Sequence, residues 1–416
     1  MSGILDPKRT VAELKELRIL SGDDHGAQRV AFTPVWSKAR AWLREKLATM
    51  PVEIHQDAAG NVWTTLPGAS PAALLIGGHM DSVPNGGWLD GCLNVLAGVE
   101  ILRRINAQYD GKPPVTVRLV DWADEEGARF GKSLFGSAAF SGNLDLDEAR
   151  RLTDKDGVRL PDALREFDLD FETVKDSGIE RENAAAYLEL HIEQGPVLLD
   201  KNLPLGVVLG TFGVERHGIT FHGQAAHSGS TPMNRRRDAF LAAGKMAQEI
   251  YPIAERNGGV CTIGSCITKP GIVTSVVDEC RITLDQRHLD AAALARMLAE
   301  AQEASQRFAT AGNVSVDWER IWAIEPVLFN SDLLDLCEQS ILETCGSSLR
   351  LPSGPLHDAA EVARAGIPTV MMFVQSLHGI SHNKIEDTLE EHLELAVTAF
   401  DKLAENAMTW VANARR

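Results

Sequence analysis

The sequence predicts an α/β protein in which a doubly wound, mixed sheet is interrupted by a smaller inserted α+β domain. Apolar segments of strand length alternate with amphipathic helical segments from about residue 11 to 208, and again from about residue 326 to the end. Between these stretches the order changes to strand, helix, strand, strand, helix and strand, which is typical of a ferredoxin-like unit. We therefore expect one domain in two parts, residues 1–212 and 326–416, with the insert at residues 213–325.

Each predicted element rests on the spacing of its apolar residues. The strands predicted in the insert are 218–222, 260–268, 273–286 and 314–318, and its helices are 236–251 and 291–309. The last helix of the chain is the clearest, because apolar residues recur at helical spacing between charged ones. These residues are Leu389, Leu393, Val397, Phe400 and Leu403. Residues 143–185 are charged and weakly periodic, so we expect a surface helical excursion there.

The composition excludes several classes of partner. A chain of 416 residues with 44% hydrophobic content can bury a large core, whereas its formal net charge of -17 disfavours nucleic acid and anionic membranes. The N-terminus lacks a basic stretch followed by an apolar one, and no window reaches transmembrane length, so we expect a cytoplasmic protein. The six cysteines lack Cys-x-x-Cys spacing, which predicts reduced, packed thiols.

Four apolar runs are each followed by histidines or carboxylates, at the strand ends where such a sheet places its active-site loops. The runs and the residues that follow them are 74–76 with His79 and Asp90, 115–120 with Glu125 and Glu126, 187–190 with His191, and 369–374 with His382. Two adjacent carboxylates point in different directions from an extended or turning backbone, so one can bind a metal while the other faces a reacting water. Mixed imidazole and carboxylate ligands suit Zn²⁺, with Mn²⁺ or Co²⁺ as alternatives.

Each of these residues also has an ordinary interpretation. A single histidine is more often a packed or capping residue, and an Asp-Glu-Glu run is usually a solvated surface. Because four clusters of this kind occur in one chain, each after a strand, we predict a dinuclear metal site.

Five segments of the chain also occur in the order of the motifs of a known family. They are Gly78-His79-Met80-Asp81-Ser82-Val83-Pro84-Asn85-Gly86-Gly87, Asp124-Glu125-Glu126-Gly127, Glu189-Leu190-His191-Ile192-Glu193-Gln194-Gly195-Pro196, Ala226-His227-Ser228-Gly229-Ser230-Thr231-Pro232-Met233 and Gly379-Ile380-Ser381-His382-Asn383. Together they resemble the zinc-dependent N-carbamoyl-amino-acid amidohydrolases, which include N-carbamoyl-L-amino-acid hydrolase, β-ureidopropionase and allantoate amidohydrolase. This family lies within the aminoacylase and carboxypeptidase-like di-zinc group.

The resemblance implies two Zn²⁺ ions per subunit and assigns their ligands. Asp90 matches the bridging carboxylate, whose negative charge offsets the repulsion between the two metals. His79 and His191 would bind one ion, and Glu126 and His382 the other.

The resemblance also assigns residues around the metals. Glu125 would be the general base that takes a proton from the activated water and delivers it to the leaving nitrogen. Asp81 would accept a hydrogen bond from the imidazole of His79 and fix its tautomer. His227 would stabilise the oxyanion across a dimer, and Gln194 would contact the substrate. On sequence alone, His227 is an exposed loop residue and Gln194 a strand-end amide that satisfies backbone groups.

The substrate end of the site is expected in the insert. Arg287 matches an arginine that clamps the substrate carboxylate through a bidentate pair, and the alternative is a salt bridge to Asp285 or Glu279. Thr274 stands where the family commonly has asparagine, and it offers no amide donor pair. The sequence therefore departs from the family pattern at a predicted pocket position.

One further loop resembles part of the family pocket. It contains Ser353-Gly354 and His357-Asp358, which we interpret as substrate-binding or supporting residues.

These observations predict a homodimeric di-zinc amidohydrolase that cleaves a linear C–N bond of an N-carbamoyl amino acid or related ureido carboxylate. The resemblance makes the insert a lid and dimerisation domain. One alternative is an N-acyl amino acid or dipeptide hydrolase of the same di-zinc fold. Another is a non-catalytic metal or ligand sensor, which retention of Glu125 with a full ligand set disfavours.

Overall fold

The computed structural model describes residues 4–414, which divide into two compact units. The first unit contains residues up to Leu209 together with those from Phe329 onward, and the second is Gly210–Leu328. The expected insert, residues 213–325, lies inside the second unit. Each unit has its own sheet and core.

The described residues form both long helices and short helical turns. The helices are α1 (Pro7–Ser21), α2 (Pro34–Leu47), α3 (Cys92–Gln108), α4 (Phe135–Ser141), α5 (Leu146–Ala149), α6 (Leu160–Arg165), α7 (Val197–Asp200), α8 (Ala239–Asn257), α9 (Ala291–Gly312), α10 (Ser331–Cys345), α11 (Asp358–Arg364) and α12 (Glu390–Asn413), with 3₁₀ helices at Phe171–Arg181, Met233–Arg235 and Leu377–Gly379. Local signals begin several of them. Asp6 and Thr33 accept main-chain hydrogen bonds at the starts of α1 and α2, and a proline follows each at the first helical position.

The strands form one mixed sheet, one antiparallel sheet and a short hairpin. They are β1 (Gly22–Asp23), β2 (Gly26–Ala27), β3 (Glu53–Gln56), β4 (Val62–Leu66), β5 (Ala73–His79), β6 (Thr116–Trp122), β7 (Ala184–Ile192), β8 (Leu205–Thr211), β9 (Gly213–His222), β10 (Val260–Lys269), β11 (Glu279–His288), β12 (Ser315–Ile324), β13 (Val327–Leu328), β14 (Arg350–Ser353) and β15 (Thr369–Val374).

The sheet of the first unit has the order β8-β15-β7-β5-β6-β4-β3. Strands β15, β7, β5 and β6 run parallel, whereas β8, β4 and β3 pair antiparallel with their neighbours. Every residue of β5 and β15 is buried, which explains why these strands are continuous apolar runs rather than alternating ones. The predicted α/β fold with a central mixed sheet is confirmed. Because the four parallel strands point the same way, the residues that follow them meet at one edge.

The helical excursion expected at residues 143–185 is present and many of its residues are exposed, but the segment also contributes apolar side chains to a buried cluster. The helices α5 and α6 and the 3₁₀ helix Phe171–Arg181 bury apolar side chains against the start of α2. The fully buried members from this segment include Leu144, Leu160, Leu164 and Val174. The apolar residues of this segment do not follow one helical period, because each of the three short helices buries a different face. The sequence pattern therefore did not reveal them among the charged residues.

The second unit is a four-stranded antiparallel sheet covered by two helices. Its strands have the order β10-β11-β9-β12, and α8 and α9 pack on one face around Ile219, Phe221 and Ile282. The chain order β9-α8-β10-β11-α9-β12 matches the order expected from the sequence. The strand predicted at residues 273–286 begins later, at Glu279, because residues 273–278 form a loop that follows Gly271 (φ +70°).

Two further expectations concern membranes and thiols. Among residues 4–414, no helix is long and apolar enough to cross a membrane. Of the six cysteines, which are free thiols, Cys92, Cys280 and Cys337 are buried, whereas Cys266 is exposed.

Candidate metal centre

The candidate metal ligands of the first unit lie at the carboxyl ends of its parallel strands. His79 is the last residue of β5, His191 lies near the end of β7, and Glu126 follows β6. His382 lies in the loop after β15, and Asp90 lies in the loop before α3. This is the sheet edge at which α/β proteins bind ligands, and it explains why the sequence clusters each follow an apolar run.

The structure brings these five side chains into two triplets that share Asp90. In the first, Asp90 Oδ1 lies 3.1 Å from His191 Nε2 and 3.7 Å from His79 Nε2. In the second, His382 Nε2 lies 3.5 Å from Asp90 Oδ2 and 3.3 Å from Glu126 Oε2. Within each triplet the potential ligand atoms lie within 4.8 Å of one another. Asp90 thus offers one oxygen to each triplet, as a bridging ligand requires.

The chemistry of this cluster fits bound cations. Nδ1 of His79 contacts the carbonyl oxygen of Asp81 at 3.1 Å and Nδ1 of His191 that of Ile192 at 2.9 Å, so both Nε2 atoms face the cluster. Nε2 of His79 is buried and has no hydrogen-bond partner among the described residues. Burial lowers the pKa of His79, but the carboxylates of Glu125, Asp81 and Asp90 raise it well above its ordinary value. That surplus of negative charge suits divalent cations.

Asp90 stays ionised in this arrangement. Burial alone would raise its pKa, but the hydrogen bond with His191 and the charges of the three neighbouring imidazoles hold the pKa of Asp90 below its ordinary value. An anionic carboxylate at the shared position is the form that can bind two cations.

Asp81 contacts the cluster differently from the expectation. Its carboxylate lies 3.5 Å from His79 Nδ1, farther than its own carbonyl oxygen. The carboxylate instead accepts hydrogen bonds from the main-chain N–H groups of Glu125 and Glu126, at 3.3 and 3.2 Å. Asp81 therefore orients the pair of acidic residues with its side chain and the imidazole chiefly with its main chain.

Glu125 stands beside the triplets and faces His79. Its Oε2 lies 3.6 Å from His79 Nε2, whereas Glu126 Oε2 faces His382, so the adjacent carboxylates do point to different groups. Only 8% of Glu125 is exposed. Burial raises the pKa of Glu125 well above its ordinary value, although the charge of His79 acts in the opposite direction. A carboxyl group with a raised pKa is suited to accept and return a proton.

Gln194 also reaches the cluster. Its backbone has a positive φ of 58°, and its side-chain Nε2 donates to Asp90 Oδ2 at 2.9 Å and to Ser381 Oγ at 3.2 Å. Its Oε1 is buried and has no partner within the described chain. The amide thus faces the metal candidates, rather than satisfying backbone groups as the alternative interpretation held.

The loop at Ser353-Gly354 supports the fold of this unit. Ser353 is fully buried, and its hydroxyl donates to the carbonyl of Pro355 at 2.8 Å, so it presents no donor to a substrate. A Cβ added to Gly354 would meet no described atom within 4 Å, so the space around this position does not require glycine. His357 in the same loop is buried with its ring 4.4 Å from that of His191. Burial and His191 lower the pKa of His357 well below its ordinary value, and the neutral ring supports His191 by packing.

The second unit holds His227 and Thr274 in two loops that pair with each other. The main-chain N–H of Ser228 donates to the carbonyl of Thr274 at 3.0 Å, and His227 forms an isolated β-bridge with Ser275. Nδ1 of His227 accepts hydrogen bonds from the N–H groups of Gly229 and Ser230, at 3.1 and 3.2 Å. A neutral ring held in this way carries its proton on Nε2, which makes Nε2 a donor. Both His227 and Thr274 are exposed within this unit.

Arg287 lies on β11 and is paired with Asp285. Its Nε lies 2.8 Å from Asp285 Oδ1, so the salt bridge that the sequence offered as an alternative is present. Glu279, the other alternative, lies at the opposite end of β11 and pairs with Lys269 at 2.8 Å. Asp285 is shared with Arg216, whose Nε lies 2.6 Å from Oδ2. Asp285 therefore pairs with two guanidinium groups, Arg216 from β9 and Arg287 from β11.

Glu386, which no sequence motif marks, contacts the loops of both Asp90 and His382. It is buried, and it accepts hydrogen bonds from Asp90 N and Ser381 Oγ. The sequence signal was weak: an acidic residue four positions after His382, in a stretch that also contains Asp387.

The mixed sheet and the two triplets define a metal-dependent hydrolase of the α/β class. The chain belongs to the peptidase family M20/M25/M40, whose family model matches residues 75–406.

The most similar proteins found include two named amidohydrolases. An N-carbamoyl-L-amino acid amidohydrolase of Geobacillus stearothermophilus is 33% identical over 369 residues, covering 88% of this chain and 90% of the relative. An allantoate amidohydrolase of Escherichia coli (strain K12) is 32% identical over 372 residues, covering 87% and 88%. A crystal structure of a hydantoinase/carbamoylase family amidase from Burkholderia multivorans matches with a TM-score of 0.87 and 29% identity over 98% of both chains. The predicted resemblance to C–N amidohydrolases is confirmed.

Proposed function

We propose that this protein is a homodimeric amidohydrolase that cleaves a linear C–N bond in an N-carbamoyl amino acid or a related ureido carboxylate. Asp90, with one oxygen in each of two imidazole and carboxylate triplets, is the observation that carries the proposal. The donor set favours two Zn²⁺ ions per subunit, with Mn²⁺ or Co²⁺ as alternatives. The names of the relatives favour the carbamoyl and ureido substrates.

In this proposal, different residues of the chain carry out different steps of the reaction. Divalent metal ions bound by the two triplets would polarise the substrate carbonyl and acidify a water molecule. Glu125 takes the proton of the attacking water and returns it to the leaving nitrogen. His227 donates from Nε2 to the oxyanion of the tetrahedral intermediate, and the family resemblance makes it a residue of the partner subunit. In this proposal the second unit is the lid and dimerisation domain.

Arg287 binds the substrate carboxylate in this proposal, and its exchange for lysine tests that role. Arg287→Lys should raise KM strongly and leave metal content unchanged, because lysine offers a point charge where arginine offers a planar fork. The matched control is Arg281→Lys on the same strand, where Arg281 pairs with Glu319 at 2.8 Å. Steady-state kinetics with metal analysis measure both variants. An equal change of KM in both would contradict the clamp.

Thr274 is the proposed determinant of substrate preference. Thr274→Asn restores the amide that is common in the family, and it should improve turnover of ordinary N-carbamoyl-L-amino acids relative to the natural substrate. The measurement is the ranking of kcat/KM over a substrate panel, in which the other substrates are the internal control. An unchanged ranking would mean that Thr274 lies outside the pocket.

A hydrolysis screen tests the proposed reaction itself. The panel contains N-carbamoyl, N-acetyl and N-formyl amino acids and allantoate, and ammonia and amine release are measured separately. Cleavage of an N-carbamoyl amino acid should give one amino acid, one CO₂ and one ammonia. Amine release from N-acetyl substrates without ammonia would favour the N-acyl hydrolase alternative. Absence of turnover with metal restored would favour the sensor.

A further inference from the structure

Glu386 lies between the loop of Asp90 and the loop of His382. It is 2% exposed, and both of its carboxylate oxygens are engaged. Oε1 accepts hydrogen bonds from the main-chain N–H groups of Leu89 and Asp90, each at 3.1 Å. Oε2 accepts from Ser381 Oγ at 2.7 Å. One side chain therefore connects two loops that are about 290 residues apart in sequence.

The Asp90 loop is shaped around this carboxylate. A Cβ added to Gly87 would lie 2.0 Å from Oε1 of Glu386, closer than any side chain can approach. The absence of a side chain at Gly87 thus makes room for Glu386. The next residue, Trp88, donates from Nε1 to Asp387 at 3.2 Å, which gives the loop a second, independent attachment.

The hydroxyl of Ser381 lies between two carboxylates. Its Oγ is 2.7 Å from Glu386 Oε2 and 3.0 Å from Asp90 Oδ2. A hydroxyl carries one proton, so it can donate to only one of them at a time. The shorter of the two contacts favours donation to Glu386 Oε2. Asp90 Oδ2, the oxygen that faces His382, then accepts from Gln194 Nε2 at 2.9 Å and keeps its other lone pair available.

We propose that Glu386 is a positioning residue for the metal centre: it fixes the main chain of Asp90 and draws the Ser381 proton away from Asp90 Oδ2. The inference rests on the proposed metal site. It implies that the metal position formed by Asp90, Glu126 and His382 depends on Glu386, whereas the position formed with His79 and His191 depends on it much less. The reason is that Oδ1, and not Oδ2, faces His79 and His191.

Glu386→Gln separates the two parts of this role. Its amide oxygen can still accept from Leu89 and Asp90, but its NH₂ group would donate to Ser381. The Ser381 hydroxyl must then turn its proton to Asp90 Oδ2, where it competes with a cation. We expect one of the two metal-binding steps to weaken about 10-fold or more, within the range of about 10–100-fold for residues that support metal ligands. Titration of the apo protein with Co²⁺, followed by calorimetry and visible absorption, measures each step.

Two further variants make the test specific. Ser381→Ala combined with Glu386→Gln removes the competing proton, so the weakened step should recover most of its affinity. Asp387→Asn is the matched control, because Asp387 lies on the same loop and holds Trp88 but has no hydrogen bond to Asp90 among those described. Its two binding steps should equal those of the unchanged protein.

The outcomes separate this inference from the proposed function. If the unchanged protein does not bind two metal ions, the proposed function fails. If it binds two and Glu386→Gln binds both with unchanged affinity, only the role of Glu386 fails. Equal weakening of both steps, or no recovery on adding Ser381→Ala, also overturns that role. Apo proteins are compared by their unfolding midpoints, and if Glu386→Gln does not fold, Glu386→Asp replaces it. Aspartate is too short to reach both loops and should weaken the same step.

Discussion

Replacing Glu125 by glutamine should leave metal binding intact and lower kcat by about 10²-fold or more, because general acid–base catalysis contributes roughly 10²–10⁴-fold. Glutamine keeps the size of the side chain but cannot accept and return a proton. The contacts support this division, since Glu125 faces His79 while Glu126 faces His382. Metal analysis and steady-state kinetics on the same preparation provide the measurement.

Asp90→Ala is the comparison that makes this result specific. It removes an oxygen from both triplets, so the variant should lose metal as well as activity. Metal loss of the same extent in Glu125→Gln and Asp90→Ala would contradict the separate roles of the two carboxylates. Retention of metal by Asp90→Ala would show that the triplets are not the binding site.

Replacing His227 by alanine should lower kcat by about 10²–10³-fold, as expected for removal of one donor to an oxyanion. The loop keeps Nδ1 of His227 as an acceptor, so Nε2–H is the group that the substitution removes. The matched control is His222→Ala, a histidine of the same unit that pairs with Asp317. Its kcat should stay near that of the unchanged protein.

Subunit mixing tests whether His227 acts across a dimer. His227→Ala and Glu125→Gln protomers are each inactive, yet a mixed dimer would contain one site with both residues intact. Part of the activity should therefore return after mixing. Glu125→Gln mixed with Asp90→Ala is the negative control, because both changes affect the same unit and no complete site can form. Absence of recovery despite demonstrated subunit exchange would place His227 in the site of its own chain.

Several features of the fold were predictable from local sequence. The apolar runs before His79 and after Val115 were predictable as strands because β5 is wholly buried and β6 is buried at all but its first residue, although β6 also carries Arg118 and Asp121. The helical period of α12 was predictable because one face of that helix is buried along its length. The buried apolar side chains of residues 143–185 were not predictable, because they are distributed over three short helices and pack against the start of α2.

The hydrogen-bond partners of individual polar atoms were harder to predict from the sequence. The sequence predicts Ser353 as a pocket residue, but its hydroxyl donates a hydrogen bond to the carbonyl of Pro355, two positions later. Asp81 was expected to hold an imidazole, whereas its carboxylate caps the main chain of Glu125 and Glu126. A sequence pattern gives the residue type at a position. The hydrogen-bond partner of that residue depends on the side-chain torsion angles, which the pattern does not give.

The sequence by itself determined the α/β class, the family and the set of metal-ligand candidates. It could do so because a parallel sheet brings the carboxyl ends of its strands to one edge whatever the details of packing. Only the tertiary structure decided which oxygen of Asp90 faces each triplet and that Glu386 holds the Asp90 loop. Those contacts join segments about 290 residues apart, so they depend on how the loops pack together. No local pattern encodes that packing, and a buried carboxylate such as Glu386 looks in sequence like any surface acid.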